Sequence, residues 1–418
     1  MKMPAVLKSD IGFLRALFLS ALVIRLVYAL PLPLDRLSSD AYDWINTAWA
    51  VTQGQGFGDS IRAPGYIFLL TGIFSVFGKS IAAVRVIQAV MGALTCVLIY
   101  KTGKKIFTET TGRIAGVLTV LYPYLIAYTG DLMSETLLTF MLACTMYRIV
   151  KAGETASWKN LAIAGVLMGL TGLTKTVTLP FFMLACAWLW WQTGKFRSGF
   201  LAGAIALLTI TPWALRNYYH YGGYSIMPIN APHALGFSLY TACCDEALLY
   251  EARGEGVRKP GDKPVASFMP ADAYNLKLPP VERKKYYMEK AKSWIKTNPD
   301  KFLWVVYRRL VHFWRLYPMI AYKWEKIAAM ATSGLYLPLA AIGFFLSLAA
   351  FKKTSLLLAL FATYTLSHIF FTTTLRYRIP IDPFLIIFAA YSLDRAYGIC
   401  RNRLRIKLPG PPHAFNAI

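Results

Sequence analysis

The segment Ser80–Tyr100, SIAAVRVIQAVMGALTCVLIY, has the length of about 20 apolar-rich residues that one helix needs to cross a bilayer. Basic residues follow it at once, at Lys101, Lys104 and Lys105. This pattern recurs and predicts an all-α polytopic membrane protein with about ten transmembrane helices. The predicted spans lie near residues 11–31, 80–100, 113–129, 132–149, 160–175, 177–192, 199–214, 328–350, 354–371 and 383–398.

The composition excludes an ordinary soluble protein of this length. Of the 418 residues, 56% are hydrophobic and only 16% are charged, which is too little polar surface for a soluble core of this size. The formal net charge of +24 admits nucleic acid or anionic lipid as a partner. Because the Lys and Arg residues flank apolar stretches, we expect membrane lipids and no nucleic acid.

Basic residues in the short connections predict the orientation, since Lys and Arg are retained on the cytoplasmic side. With the predicted spans, every basic cluster and the amino terminus fall on one side. The clusters are Lys101/Lys104/Lys105/Arg113, Arg148/Lys151/Lys159, Lys195/Arg197, Lys352/Lys353 and Arg401/Arg403/Arg405/Lys407. We therefore predict a multi-pass protein of the inner (cytoplasmic) membrane, whose other face meets the periplasm or the cell exterior.

That other face carries two long segments, and they divide the chain into three predicted units. Residues 1–214 form a transmembrane module with a first extracytoplasmic loop at 32–79; residues 215–327 form a second loop; residues 328–418 form the last spans and a basic cytoplasmic tail. Tyr66–Phe77 is too short to span and is predicted to be interfacial. Lys301–Tyr317 follows a predicted helix ending at Asn298-Pro299. Its interior basic residues favour an interfacial position for it also: Arg308, Arg309, His312 and Arg315.

Ionisable residues at the non-cytoplasmic ends of the spans are exceptions to the charge pattern and mark a candidate site. Several carboxylates and several cations converge there. They are Asp35, Arg36, Asp40, Asp43, Arg62, Asp131, Glu135, Lys175, Arg216, Arg376, Arg378 and Asp382.

Asp40 comes shortly after the first span, next to Tyr42 and Trp44, which suit headgroup depth. A carboxylate partly withdrawn from water can accept a proton from an incoming hydroxyl, so Asp40 is a candidate base. Two other interpretations stay open, a solvated loop aspartate and a helix N-cap. Asp43 is more suited to structural support than to catalysis.

Three arginines are candidates for binding a phosphate, whose oxygens match guanidinium donors. Arg62 precedes Ala63-Pro64-Gly65-Tyr66, where proline and glycine restrict the backbone, although a snorkelling anchor is an equal alternative. Arg376 and Arg378 lie in one short turn between two spans, and a bound anion is the simplest reason for cations there.

Asp131, Glu135 and Lys175 complete the candidate set. Asp131 and Glu135 are four residues apart and are expected to share one helical face. Glu135 enters the membrane unless a partner holds it, and Lys175 in the neighbouring turn is the natural candidate. A structural ion pair and a substrate role are both open. No nucleotide-binding glycine loop, zinc motif or serine-nucleophile elbow occurs in the sequence.

The order of these motifs resembles the GT-C superfamily, specifically the group of protein O-mannosyltransferases, aminoarabinose transferases and RgtA-like enzymes. The matching residues are Asp40-Ala41-Tyr42, Arg62-Ala63-Pro64-Gly65-Tyr66, Met133-Ser134-Glu135-Thr136-Leu137, Gly169-Leu170 with Leu173-Thr174-Lys175, and Arg376-Tyr377-Arg378-Ile379-Pro380. The resemblance implies a GT-C-like bundle with interfacial helices and a long extracytoplasmic loop.

The resemblance also implies an activity, transfer of a sugar with inversion from a polyprenyl-phosphate carrier to an acceptor hydroxyl outside the cytoplasm. Asp40 matches the family's proposed base, and Arg376 and Arg378 match its late Arg-Tyr-Arg turn. We expect Arg62 and Lys175 to assist at the donor phosphate, and Tyr42, Asp43, Tyr66, Asp131 and Glu135 to serve the acceptor or to support the site. The acceptor is a glycolipid, a polysaccharide or a protein; a divalent metal is possible.

Two other functions stay open at this point. A transporter or flippase of a lipid-linked anion would use the same cations for binding alone, but it needs a polar path across the bilayer, and residues 160–214 offer few polar groups for one. A scaffold subunit of an envelope complex would use them to capture a partner.

Overall fold

A computed structural model describes residues 10–58, 60–221, 230–252, 256–257, 269–317, 320–321, 323–371 and 373–407. The basic residues Lys2 and Lys8 and the end of the predicted tail, 408–418, lie outside these ranges. The helices are α1 Asp10–Ala29, α2 Ser39–Thr52, α3 Pro64–Phe77, α4 Ile81–Ile106, α5 Glu109–Val120, α6 Pro123–Gly130, α7 Ser134–Thr155, α8 Trp158–Thr174, α9 Leu179–Thr193, α10 Phe196–Tyr221, α11 Ala234–Tyr240, α12 Asp245–Ala252, α13 Asp272–Asn275, α14 Pro280–Thr297, α15 Pro299–Phe313, α16 Lys323–Leu346, α17 Phe351–Ile369 and α18 Asp382–Lys407.

Short elements connect some of these helices. Single 3-10 turns occur at Leu34–Arg36, Thr176–Thr178, Leu348–Ala350 and Leu375–Tyr377. Among the described residues, β structure is limited to the parallel pairing of β1, Gly256–Val257, with β2, Ile320–Ala321. The predicted all-α fold class is confirmed.

Each predicted span coincides with a helix, except that the span at 113–129 is divided into α5 and α6. The division falls at Pro123, which lacks the N–H of a helix interior and takes the first position of α6 instead. Within the described residues, four helical stretches are long and apolar enough to cross a membrane on their own: Asp10–Ala29, Ile81–Ile106, Phe196–Tyr221 and Lys326–Leu346. The helices at the other predicted spans are shorter or more polar. The chain is a multi-pass membrane protein.

Helix α4 is central, because α1, α5 and α7 all pack on it. Helix α8 packs between α7 and α10. Gly165 and Gly169 on α8 permit a close approach to α10: a Cβ at these positions would lie 2.6 Å from the Ala202 oxygen and 2.8 Å from the Ala206 oxygen. Small residues at such contacts let membrane helices pack by van der Waals contact.

The largest apolar cluster joins the two ends of the chain. Leu142, Met168 and Phe181 from the first half lie in the same buried cluster as Leu360 and Ile379 from the second. Helix α18 also packs along α5 and α16. This packing brings the turn before α18, which carries Arg376 and Arg378, to the connection that follows α1.

The long second loop contains the predicted helix pair, α14 and α15, separated at Asn298. Helix α15 turns Arg309 and His312 inward, where Arg309 Nε lies 3.2 Å and His312 Nδ1 2.6 Å from oxygens of Glu251. All three side chains are no more than 3% exposed. His312 therefore belongs to a buried cluster with Arg309 and Glu251. The opposite stripe of α15 exposes Leu303, Trp304, Tyr307, Leu310 and Val311.

Candidate active site

Asp40 lies in the first turn of α2, where its carboxylate meets two guanidinium groups. Ser38 occupies the cap position, so Asp40 is not the N-cap that the sequence left open. Arg62 Nη2 donates to Oδ1 over 3.0 Å, and Arg376 Nη1 donates to Oδ2 over 2.9 Å. Both carboxylate oxygens are thus held by cations, although the side chain remains 35% exposed.

The two guanidiniums determine the charge state of Asp40. Partial burial works to raise the pKa of this carboxyl group, but the charges and hydrogen bonds of Arg62 and Arg376 outweigh it, and the net pKa is lowered. Asp40 is therefore ionised at neutral pH. It becomes a stronger proton acceptor only when an anion competes for its cations.

Arg62 is positioned by contacts on both sides of its backbone. Its N–H donates to Ser60 Oγ over 3.2 Å, and Pro64 starts α3 directly after Ala63. The guanidinium lies over the ring of Trp44, 5.0 Å from its centroid, and Nη2 is also 3.0 Å from Asp43 Oδ2. These contacts direct Arg62 toward the carboxylates, which favours a role in the site over that of a lipid anchor.

Arg376 links Asp40 to a second carboxylate, Glu135, in the first turn of α7. Arg376 Nε lies 3.0 Å from Glu135 Oε1, and Lys175 Nζ lies 3.6 Å from the same oxygen. Glu135 is 1% exposed. The Lys175 ammonium also lies over the ring of Tyr377, 4.7 Å from its centroid. We call Asp40, Arg62, Glu135, Lys175 and Arg376 the Asp40 cluster.

Asp131 does not share a helical face with Glu135, and that expectation was wrong. Helix α7 begins only at Ser134, and Asp131 has an extended backbone conformation before it. The Asp131 carboxylate instead accepts the N–H of Ser38 over 3.2 Å, just before α2. Burial raises the pKa of Asp131, and the charge of Glu135 adds to this. Asp131 therefore supports the start of the helix that carries Asp40.

Two polar residues of α4, Arg85 and Gln88, support the site through hydrogen bonds to neighbouring elements. Arg85 donates through Nε to the carbonyl of Gly130 over 3.0 Å. Gln88 accepts the hydroxyl of Tyr66 over 2.8 Å and donates to the carbonyl of Asp131 over 2.9 Å. They fix α3 and the end of α6 to α4. Sequence interpretation missed both, and their signal was polarity within an apolar span, one helical turn apart.

Arg378 is directed to different partners from those of Arg376. It is 0% exposed, its Nε lies 2.9 Å from Asp382 Oδ1, and its Nη1 donates to the carbonyls of Phe313 and Arg315 over 3.0 and 2.6 Å. Tyr122 donates to the other oxygen of Asp382 over 2.6 Å. The structure therefore does not bring Arg378 into the Asp40 cluster, and we do not retain it as a phosphate ligand. Its contacts fix the shape of the turn.

Comparison with known proteins places this fold. A sequence profile for dolichyl-phosphate-mannose-protein mannosyltransferases matches residues 61–215. The oligosaccharyltransferase of Archaeoglobus fulgidus in its apo form superposes with a TM-score of 0.59 at 12% identity, covering 94% of this chain and 52% of that one. The same archaeal enzyme, AglB, with an inhibitory peptide and a dolichol-phosphate gives 0.55 at 13% identity, with 95% and 52% covered.

The chain has the GT-C fold. It spans about half the length of the archaeal oligosaccharyltransferases, 52% in both comparisons. ArnT of Cupriavidus metallidurans bound to undecaprenyl phosphate is more distant, with a TM-score of 0.44 at 14% identity over 96% of this chain and 82% of that one. No curated protein matches the chain by sequence. The fold that the sequence resemblance implied is thus confirmed.

The profile and the geometry cover the Asp40 cluster differently. The matched stretch of this GT-C fold includes Arg62, Glu135 and Lys175, whereas Asp40 and Arg376 lie outside it. The fold alone brings these two residues together with the other three. Tyr42, which is 46% exposed, donates its hydroxyl to the carbonyl of Leu34 over 3.3 Å rather than to a member of the Asp40 cluster.

The donor set of the Asp40 cluster does not suit a metal ion. Among the described residues, no group of three or more His, Cys, Asp or Glu side chains has the arrangement of a metal site. Both oxygens of Asp40 already accept hydrogen bonds from guanidiniums, which carry like charge to a metal cation.

Proposed function

We propose that this protein is a membrane glycosyltransferase that moves a sugar from a polyprenyl-phosphate carrier to an acceptor hydroxyl, with inversion, on the extracytoplasmic side. The observation that carries the proposal is a single carboxylate, Asp40, held between Arg62 and Arg376 at distances of 3.0 and 2.9 Å. A match to mannosyltransferases that use dolichyl phosphate supports it, as does the fold of an oligosaccharyltransferase solved with dolichol-phosphate.

The cations suit a phosphate monoester leaving group. Negative charge grows on the carrier phosphate as the bond between the sugar carbon and the phosphate oxygen breaks. Preorganised donors aimed at that charge stabilise the transition state. Arg62 and Arg376 are 23% and 24% exposed and Lys175 is 22% exposed, so each is accessible to a ligand while anchored by protein contacts.

Asp40 supplies the base. The acceptor oxygen attacks the sugar carbon from the face opposite the phosphate, its proton passes to the Asp40 carboxylate, and the electron pair of the breaking bond leaves with the phosphate. Because the leaving group is already activated, one carboxylate suffices, unlike the pair that glycoside hydrolases use.

Donor binding and base strength are coupled in this arrangement. The pKa of Asp40 is lowered by the guanidiniums that would also bind the phosphate. When the phosphate draws them away, the pKa of Asp40 rises toward its ordinary value and the carboxylate becomes a better proton acceptor. The base is thus weak until the donor arrives, which limits unproductive proton uptake.

The test is carrier release by purified protein with a panel of polyprenyl-phosphate sugars and candidate acceptors. Asp40→Asn removes the base while keeping the side chain's size, so we expect transfer to be lost and carrier binding to persist. Asp35→Asn, an exposed acid in the same connection, is the matched control and should retain activity. Full turnover by Asp40→Asn would remove Asp40 from the mechanism. Counterflow of labelled lipid with no glycosylated product would instead favour a flippase.

The predicted orientation has its own test. Single cysteines introduced at Asp35 and at Lys352 should react with a membrane-impermeant thiol reagent from opposite sides of sealed vesicles. Labelling of both from the same side would contradict the extracytoplasmic placement of the Asp40 cluster.

A further inference from the structure

A small cavity is lined by Glu135, the second carboxylate of the Asp40 cluster. It measures about 10 Å³, which is room for one water molecule. Helix α4 contributes Thr95, helix α7 contributes Glu135, Thr136 and Thr139, and Ile379 closes it from the turn that carries Arg376. The cavity therefore joins the second carboxylate of the Asp40 cluster to the interior of the bundle.

Glu135 faces this cavity with an incomplete set of partners. Its side chain is 1% exposed, and neither carboxylate oxygen accepts a hydrogen bond of acceptable geometry from the described residues. Arg376 Nε and Lys175 Nζ form ion pairs with Oε1, at 3.0 and 3.6 Å. A buried carboxylate of this kind needs hydrogen-bond donors, since an unsatisfied charged group in a protein interior is costly.

The threonines around the cavity cannot supply those donors. Thr95 donates to the carbonyl of Met91 over 2.9 Å, Thr136 to that of Tyr128 over 2.9 Å, and Thr139 to that of Glu135 over 2.7 Å. With their protons committed to the backbone, these hydroxyls offer lone pairs only. A water molecule satisfies both the carboxylate and the hydroxyls, because it can donate one proton to Glu135 and the other to a threonine oxygen.

We propose that the cavity binds one water molecule that solvates Glu135, and that Glu135 is the positioning residue that holds Arg376 and Lys175 for the donor phosphate. This inference rests on the proposed function for its kinetic part. Glu135 touches neither donor nor acceptor; it acts through the two cations. Lys175 follows α8 and Arg376 precedes α18, so Glu135 links these two distant segments, together with the contact of Lys175 with the Tyr377 ring.

A positioning role has a kinetic signature that simple destabilisation lacks. Glu135→Gln removes one negative charge beside two cations, so the attraction of the site for a phosphate stays equal or increases. The same change releases Arg376 and Lys175 from their fixed geometry, and misplacement of catalytic groups by about 1 Å costs about 100-fold in rate. We expect kcat to fall by about that factor while the donor KM is unchanged or lower.

Matched threonine variants test how much the proposed water molecule contributes to kcat. Thr95→Val and Thr139→Val keep side-chain volume and remove the lone pairs that face the cavity, whereas Thr139→Ser keeps the hydroxyl. Thr119→Val is the control, since Thr119 is equally buried, donates only to the carbonyl of Ala115 and does not line the cavity. We expect the two cavity valines together to lower kcat about tenfold, the value of one hydrogen bond to a charged group. Thr139→Ser and Thr119→Val should match the unchanged protein.

The decisive experiment is an experimental structure at a resolution that shows ordered water, for the unchanged protein and for Thr95→Val/Thr139→Val. We expect density within hydrogen-bond distance of Glu135 in the first and none in the second. An empty cavity in the unchanged protein, or equal kinetics for Thr119→Val and the cavity variants, would overturn the inference. So would a Glu135→Gln protein whose kcat is unaltered, or one that loses thermal stability and donor binding together.

Failure of the proposed function would look different. Binding of a polyprenyl phosphate without a sugar, measured on the unchanged protein, tests the function alone. If that protein does not bind the phosphate, the function fails, while the density at Glu135 still decides the water site.

Discussion

Arg376 and Arg378 stand two residues apart in one turn, and their surroundings differ completely. Arg376 is 24% exposed and is shared between Asp40 and Glu135. Arg378 is 0% exposed and is paired with Asp382, whose other oxygen accepts the hydroxyl of Tyr122. A cation that a ligand can reach and a cation enclosed by protein have different uses. The first can exchange its partner for a substrate anion, and the second can only hold the turn.

The largest effect that this contrast predicts is the loss of activity on removing Arg376. Arg376→Ala should reduce carrier release by about 100- to 1,000-fold, since one preorganised donor to a developing anion is worth that much. Unfolding temperature in detergent should fall less than on loss of Arg378, because the buried Glu135 keeps Lys175 as a second cation 3.6 Å away. An Arg376→Ala protein with normal turnover would place the phosphate elsewhere.

Arg378 should show the opposite pattern. Arg378→Leu leaves Asp382 as an uncompensated buried charge, and breaking a buried pair from one side costs about 3–5 kcal/mol. We expect a large drop in unfolding temperature in detergent. The double variant Arg378→Leu/Asp382→Leu should recover much of it, because replacing both partners removes the orphaned charge. A stable Arg378→Leu protein that has lost phosphate binding would restore Arg378 as a donor ligand.

The pH dependence of kcat/KM tests whether Arg62 lowers the pKa of Asp40. Arg62 lowers the pKa of Asp40, so Arg62→Gln should move the acid limb of the profile to higher pH. The lowered pKa of Asp40 also makes folding stability depend on pH. The ionised Asp40 stabilises the folded protein at pH values above the pKa that this carboxyl group has in the unfolded chain, and that stabilisation is lost as the pH falls through the pKa of the folded state. Arg36→Gln, an exposed cation in the connection between α1 and α2, is the control and should leave the acid limb unchanged.

The smallest effect is expected at the support beneath the site. Tyr66→Phe removes the hydroxyl that donates to Gln88 over 2.8 Å and leaves a buried amide oxygen unpaired. Such a loss costs about 1–3 kcal/mol of stability. Turnover at a temperature well below unfolding should remain close to normal. A loss of turnover at unchanged stability would give Tyr66 a direct part in the reaction.

The sequence predicted the general location of the site because membrane proteins concentrate exceptions to the charge rule where they use them. Asp40, Arg62 and Arg376 were identified from their place at the ends of apolar spans, which depends on local composition alone. Whether Arg376 or Arg378 faces Asp40 depends on Phe313 and Arg315, which lie more than 60 residues upstream of that turn. No local pattern carries that information.

Two other features could not be obtained from spacing. The expected helical face of Asp131 and Glu135 assumed a helix already formed at residue 131, whereas Met133 has an extended conformation and the helix starts after it. The participation of Gln88 and Arg85 depends on the carbonyls of a neighbouring turn. Periodicity reports which residues face the same way within one helix, but not which backbone groups a neighbouring segment leaves open.

The contact between Asp40 and Arg376 joins residues 336 positions apart. A ribosome makes the chain from its amino terminus, so Asp40 and Arg62 enter the membrane early, and their third partner arrives only after most helices are in place. Until then the unfinished chain has two carboxylates, Asp40 and Glu135, and two cations, Arg62 and Lys175, but it lacks the guanidinium that contacts both carboxylates. Under the proposed function, catalytic competence therefore requires synthesis to pass Arg376, and a translation product abandoned before that residue should be inert toward the lipid carriers of the cell.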